Sequence, residues 1–93
     1  MSGPVSVLVR IEGRVQGVWF RAWTTEEALS LGLAGWVRNR PDGTVQAVFS
    51  GPENVVSEML EKCWDGPILA QVSAIVDEPC APPKSGFHQL PTG

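Results

Sequence analysis

The stretch that decides the fold is VSVLVRIEGRVQGVWFRAWTTEEALSL, residues 5–31. It opens with Val5, Val7, Val9 and Ile11 at alternate positions, the two-residue period of a half-buried strand. Only Leu8 is apolar on the other face of this strand, Val5–Glu12. The period then changes. Phe20, Thr24, Ala28 and Leu31 fall near one stripe, which predicts a helix over 20–31. Gly32 can end it, because glycine accepts the left-handed conformation of a helix stop. Gly13–Trp19 lies between and reads as a loop, followed by Arg21 in the first helical turn. A cation is out of place there. The N-terminal turn already carries partial positive charge, and the conflict costs about 0.3–1 kcal/mol.

Working outward, Leu33–Asn39 reads as a second strand and Arg40-Pro41-Asp42-Gly43 as a turn, with Asp-Gly supplying positive φ cheaply. Thr44–Ser50 is a third strand with Val45, Ala47 and Phe49 on one face. Pro52 suits the first turn of a second helix, whose buried face is Val56, Met59, Leu60 and Cys63. Gly66-Pro67 stops it, and Gln71–Val76 is a fourth strand. The proline-rich segment Glu78–Gly86 reads as a loop, and Phe87–Leu90 as a possible short fifth strand. The order strand, helix, strand, strand, helix, strand is the ferredoxin-like split βαβ pattern (βαββαβ). It predicts an α+β fold with two helices on one face of a mainly antiparallel sheet.

The 93 residues suit one domain, 1–93. Hydrophobic residues make up 43% and charged residues 18%, which excludes a disordered chain. The net charge of −3 is uneven. Residues 1–40 hold five arginines and net +2, whereas residues 41–93 net −5. Cys63, Cys80 and His88 form no metal-ligand spacing, so no metal and no cofactor is expected. The opening residues lack a charged leader segment and no run is long enough to span a membrane. A cytoplasmic monomer without membrane contact is the expectation. An RNA-binding module would need exposed aromatics on its central strands and a basic footprint. The acidic balance argues against nucleic acid as a partner.

Glycines at 13 and 17 let the backbone between them approach a ligand closely. Successive loop amides can converge on an anion, the next helix adds its free N–H groups, and Arg21 adds a planar fork suited to phosphate oxygens. The other reading is a tight turn with Arg21 in solvent. Arg10 and Arg14 read as surface charge, and Asn39, by its position alone, as a turn residue. Trp36 reads as core. Trp19 and Trp23 either line the mouth of the loop or cover the core edge. Arg38 should face away from Asn39, and His88 carries no motif.

GRVQGVWFR (13–21) and GWVRNRPDGTV (35–45), in this order with a helix between them, resemble the acylphosphatase family. Leu31-Gly32-Leu33 before Gly35, and Gly66-Pro67 with Ala70 and Val72, extend the resemblance over nearly the whole chain. It implies metal-free hydrolysis of acyl phosphates to a carboxylate and inorganic phosphate. It also implies a phosphate-binding loop of Val15, Gln16, Gly17, Val18, Trp19, Phe20 and Arg21, with Arg21 on the phosphoryl group and Asn39 positioning the attacking water. Inorganic phosphate would be product and competitive inhibitor. A non-catalytic anion-binding or regulatory domain of the same family is the alternative. Gln46, where many family members carry glutamate, Trp19, a bulky residue at a variable position, and Gln89, polar where an apolar strand residue is expected, depart from the family pattern. No specificity pocket for the acyl group is legible.

Overall fold

The computed structural model describes residues 3–93. Among them, the alternating and helical periods become β1 (Pro4–Arg14), α1 (Phe20–Ser30), β2 (Ala34–Asn39), β3 (Val45–Pro52), α2 (Glu53–Asp65), β4 (Gln71–Pro79) and β5 (Phe87–Gln89). The sheet order is β4-β1-β3-β2-β5. β3 runs antiparallel to both β1 and β2, β4 antiparallel to β1, and β5 parallel to β2. The fold is therefore the expected ferredoxin-like α+β arrangement, with β5 making the sheet mixed. β1, β2 and β5 all point the same way, so their carboxyl ends meet at one edge of the molecule.

The core forms where one sheet face meets the two helices. Val9, Ile11, Val37, Val45, Ala47 and Phe49 come from the strands; Phe20, Ala28, Val56, Met59 and Cys63 come from the helices, and all are buried. Phe87 on β5 stacks on Phe49 with ring centroids 5.8 Å apart, which attaches the short edge strand to the core. Gly35 permits this packing. A Cβ there would lie 1.8 Å from the carbonyl oxygen of Val48. α1 ends as expected at Gly32, φ 72°. The Leu33 N–H donates to the Ala28 carbonyl at 2.9 Å and the Gly32 N–H to Leu29 at 3.1 Å, the paired bonds of a Schellman stop.

Several expectations are corrected. β1 runs through Gly13 to Arg14, so the loop is shorter than 13–19. Gly13 uses its positive φ at a pairing irregularity against β4, where a Cβ would sit 2.2 Å from the Gln71 carbonyl. β4 continues past Val76 to Pro79 because Asp77, Glu78 and Pro79 still pair with β1; an edge strand tolerates a proline that cannot donate. Pro52 ends β3 and caps α2 rather than entering its first turn. Trp36 is not core. Gly35 and Val37 take the helix side, so Trp36 turns to the open face, where the Arg38 guanidinium lies 5.1 Å from its ring centre. Arg38 faces away from Asn39 as expected, and its Nε donates to Gln46 Oε1 at 2.9 Å. Arg10 is at the surface, paired with Glu12 at 3.0 Å.

Cys63 and Cys80 are free thiols. Burial pushes the Cys63 thiol up to about 12, so it is an inert core residue at neutral pH. No helix among the described residues is long and apolar enough to cross a membrane.

One core position is under-satisfied. Thr24 is fully buried on α1 and its Oγ1 has no partner among the described residues. Valine keeps its shape without the hydroxyl. Thr24→Val is expected to stabilise the fold by about 1–2 kcal/mol, seen as a rise in Tm on thermal denaturation. A fall in Tm would show that the hydroxyl is satisfied in solution.

Candidate active site

The segment between β1 and α1 is held by alternate anchors. Val15, Val18 and Phe20 are buried, whereas Gly17 and Trp19 point outward. Gly17 and Trp19 both have left-handed backbone, φ 73° and 67°. Trp19 is the only non-glycine residue with positive φ among the described residues. Such a conformation costs an L-residue roughly 1–2 kcal/mol, and strain of this kind gathers at functional loops. No backbone N–H from Gln16 through Ala22 donates to another protein group among the described residues. α1 also has no side-chain cap, and no acidic residue in its first turn. Orphan donors normally find caps or water; here all but one of the residues that carry them line an open cavity.

That cavity has a volume of about 350 Å³ and is lined by Val15, Gln16, Gly17, Trp19, Phe20, Arg21 and Ala22 with Asn39 and Gln89. The sequence-predicted loop is thus brought to Asn39, at the end of β2. Val18, also predicted, anchors the loop from below and does not line the cavity. Gln89 and Ala22 were not predicted. Gln89's polarity within a strand was the available signal, and nothing in the chain marks Ala22.

Two hydrogen-bond sets hold this arrangement. The Gln16 side chain has its Nε2 committed at the cavity wall, donating to the carbonyls of Arg40 and Thr44, both at 2.8 Å. It ties the loop to the turn that follows Asn39. Arg21 Nη1 donates to the Leu90 carbonyl at 3.0 Å. Leu90 is itself fixed by its N–H to Val37, 2.8 Å. The guanidinium is therefore oriented by the segment after β5 and does not point into solvent. The Asn39 backbone carbonyl accepts from the Gly93 N–H at 3.0 Å, whereas its side-chain amide has no protein partner among the described residues and remains available at the cavity wall. His88 lies outside the cavity, its Nε2 3.1 Å from the Ser85 carbonyl.

The lining contains an arginine and three primary amides, Gln16, Asn39 and Gln89, but no carboxylate, imidazole or thiol. No cluster of three His, Cys, Asp or Glu side chains occurs among the described residues. The chemistry offered is anion binding by amides and guanidinium, beside the amide side chains of Asn39 and Gln89, which have no protein partner among the described residues.

A small α+β fold with a guanidinium- and amide-lined cavity at the carboxyl ends of β1, β2 and β5 is the class defined here. The family model for acylphosphatase matches residues 7–89. An acylphosphatase of Rhodospirillum rubrum is 56% identical over 88 residues, covering 94% of this chain and 97% of the relative. The structure of an acylphosphatase from Coxiella burnetii superposes with a TM-score of 0.90 at 32% identity, covering 95% of this chain and 94% of the other. That of an acylphosphatase from Bacillus subtilis gives 0.88 at 33% identity, covering 92% and 98%. The chain belongs to the acylphosphatase family.

The Gln16 clamp should be measurable. Gln16→Ala removes two hydrogen bonds but leaves both carbonyls with backbone partners, Gly43 N–H and Arg40 N–H. A loss of about 1 kcal/mol is expected, read as a lower urea midpoint at unchanged slope. An unchanged midpoint would show that the clamp adds nothing.

Proposed function

We propose that this chain hydrolyses acyl phosphates, releasing a carboxylate and inorganic phosphate. The observation that carries the reading is the run of unpartnered amides from Gln16 to Ala22 closing on a cavity that also holds Arg21 and Asn39. Full-length similarity to acylphosphatases supports it. Loop amides and Arg21 bind the phosphoryl oxygens, offsetting both the missing helix cap and the misplaced cation. Asn39 holds water by its side-chain amide, which can donate and accept. The water oxygen bonds to phosphorus while the bond from phosphorus to the acyl oxygen breaks. The electron pair leaves with the carboxylate, and one water proton passes to a phosphoryl oxygen to give dihydrogen phosphate.

Positioning and charge stabilisation dominate phosphoryl transfer. A carboxylate leaves without protonation, because its conjugate acid has a pKa near ~4. No general acid is needed, in keeping with a cavity lined by none. The proposal has the reaction proceed without metal, with inorganic phosphate as product and competitive inhibitor. It also has the chain act as a cytoplasmic monomer, with neither nucleic acid nor membrane as partner. Its net acidity and its free thiols support that setting.

Arg21→Ala is expected to reduce acetyl phosphate turnover by about 10²–10³, as loss of a transition-state charge donor does, and to weaken phosphate binding. Asn39→Ala should abolish turnover while phosphate still binds, measured by calorimetric titration. Near-normal turnover in the first variant, or lost phosphate affinity in the second, would remove these roles. Turnover should also survive a chelator unchanged. Inhibition by chelator that magnesium reverses would show a metal requirement.

A further inference from the structure

The cavity at the loop has Trp19 in its wall. On the other side of this residue lies a groove of about 390 Å³, and Trp19 and Ala22 line both spaces. Trp23 from α1 and the turn Pro67–Leu69 complete the groove, with Glu26 as its one charged residue. The turn is ordered, since the Ala70 N–H donates to the Pro67 carbonyl at 2.9 Å. It presents Ile68 and Leu69 outward at 98% and 61% exposure, opposite a Trp19 ring exposed to 79%. Three large apolar side chains left in water around one groove mark a binding surface, unlike single exposed residues.

Its occupant follows from the direction of the reaction. Attacking and leaving oxygens lie roughly in line across phosphorus. Asn39, the proposed water holder, lines only the phosphate cavity. The leaving carboxylate must therefore depart on the side away from Asn39. Trp19 and Ala22, the residues common to both linings, border the two spaces.

From this adjacency we infer that the groove is the acyl subsite of the same reaction, taking an uncharged apolar acyl group, aromatic or aliphatic, between Trp19 and the Ile68-Leu69 turn. The inference rests on the proposed acyl phosphate hydrolysis and adds to it a substrate class. Glu26 disfavours acyl groups that end in a second carboxylate. The strained backbone of Trp19 acquires a purpose, since it places the indole outward as a wall of the groove.

The test compares benzoyl phosphate with acetyl phosphate, whose acyl group is too short to reach the turn. Ile68→Ser with Leu69→Ser changes only exposed side chains outside the phosphate cavity. In this double variant kcat/KM for benzoyl phosphate should fall about 10-fold, in the range set by lost apolar contacts, while that for acetyl phosphate stays at the wild-type value. Unchanged benzoyl phosphate hydrolysis, or an equal fall for both substrates, overturns the subsite and leaves the hydrolase reading standing. Wild-type protein that hydrolyses neither substrate overturns both. Sedimentation gives the remaining outcome. A wild-type dimer that the variant dissociates, with both activities unchanged, assigns the groove to a second copy of the chain and overturns the acyl subsite.

Discussion

The two hydrogen bonds from Gln16 Nε2 to the Arg40 and Thr44 carbonyls hold together parts of the chain that the sheet alone would leave apart. β1 and β2 are not neighbours, because β3 lies between them. The loop after β1 and the residue ending β2 lie at the same edge of the sheet, one on each side of the start of β3, and a side chain that spans it can tie them together. The Gln16 side chain does this. Once it is in place, the amides of 16–22 and the Asn39 side chain share one cavity, and the remaining features of the site follow.

The clamp also explains how the loop can remain so poor in internal bonds. Its buried anchors, Val15, Val18 and Phe20, fix it through the core. Its backbone donors need not be spent on folding. Arg21 is treated in the same way. A guanidinium beside a helix N-terminus is locally unfavourable, and the Leu90 carbonyl holds it in one orientation. An uncapped helix, a strained tryptophan and a misplaced cation are separate local costs. An anion in the cavity offsets the first and third at once, and an outward acyl subsite gives the second a use.

Much of this was legible in the chain. Alternation at Val5–Ile11, the stripe Phe20, Thr24 and Ala28, and the turn residues Asp42-Gly43 placed β1, α1 and the turn between β2 and β3, and with the buried face Val56, Met59 and Cys63 of α2 they gave the order of the fold. Arg21 was visible as a conflict with the helix dipole before any resemblance was considered. The errors also have physical causes. Gly13 looked like a loop glycine because strand irregularities and loops both require positive φ. Trp36 looked like core because hydrophobicity does not state which face a strand residue takes. The end of β4 was read as loop because its charges and Pro79 suit an edge strand as well as a coil.

Local chemistry was thus enough for the elements and the split βαβ order, and it marked the loop before α1 as a candidate anion site, since periodicity, turn residues and helix charge act within a few residues. Tertiary structure decided the rest. It gave the Gln16 side chain a clamping role, pinned Arg21 to a carbonyl 69 residues away in sequence, brought Gln89 to the site, and set Ile68 and Leu69 in one groove with Trp19. Each of these depends on which segments meet across the sheet. A contact between distant residues leaves no periodic trace in either of them.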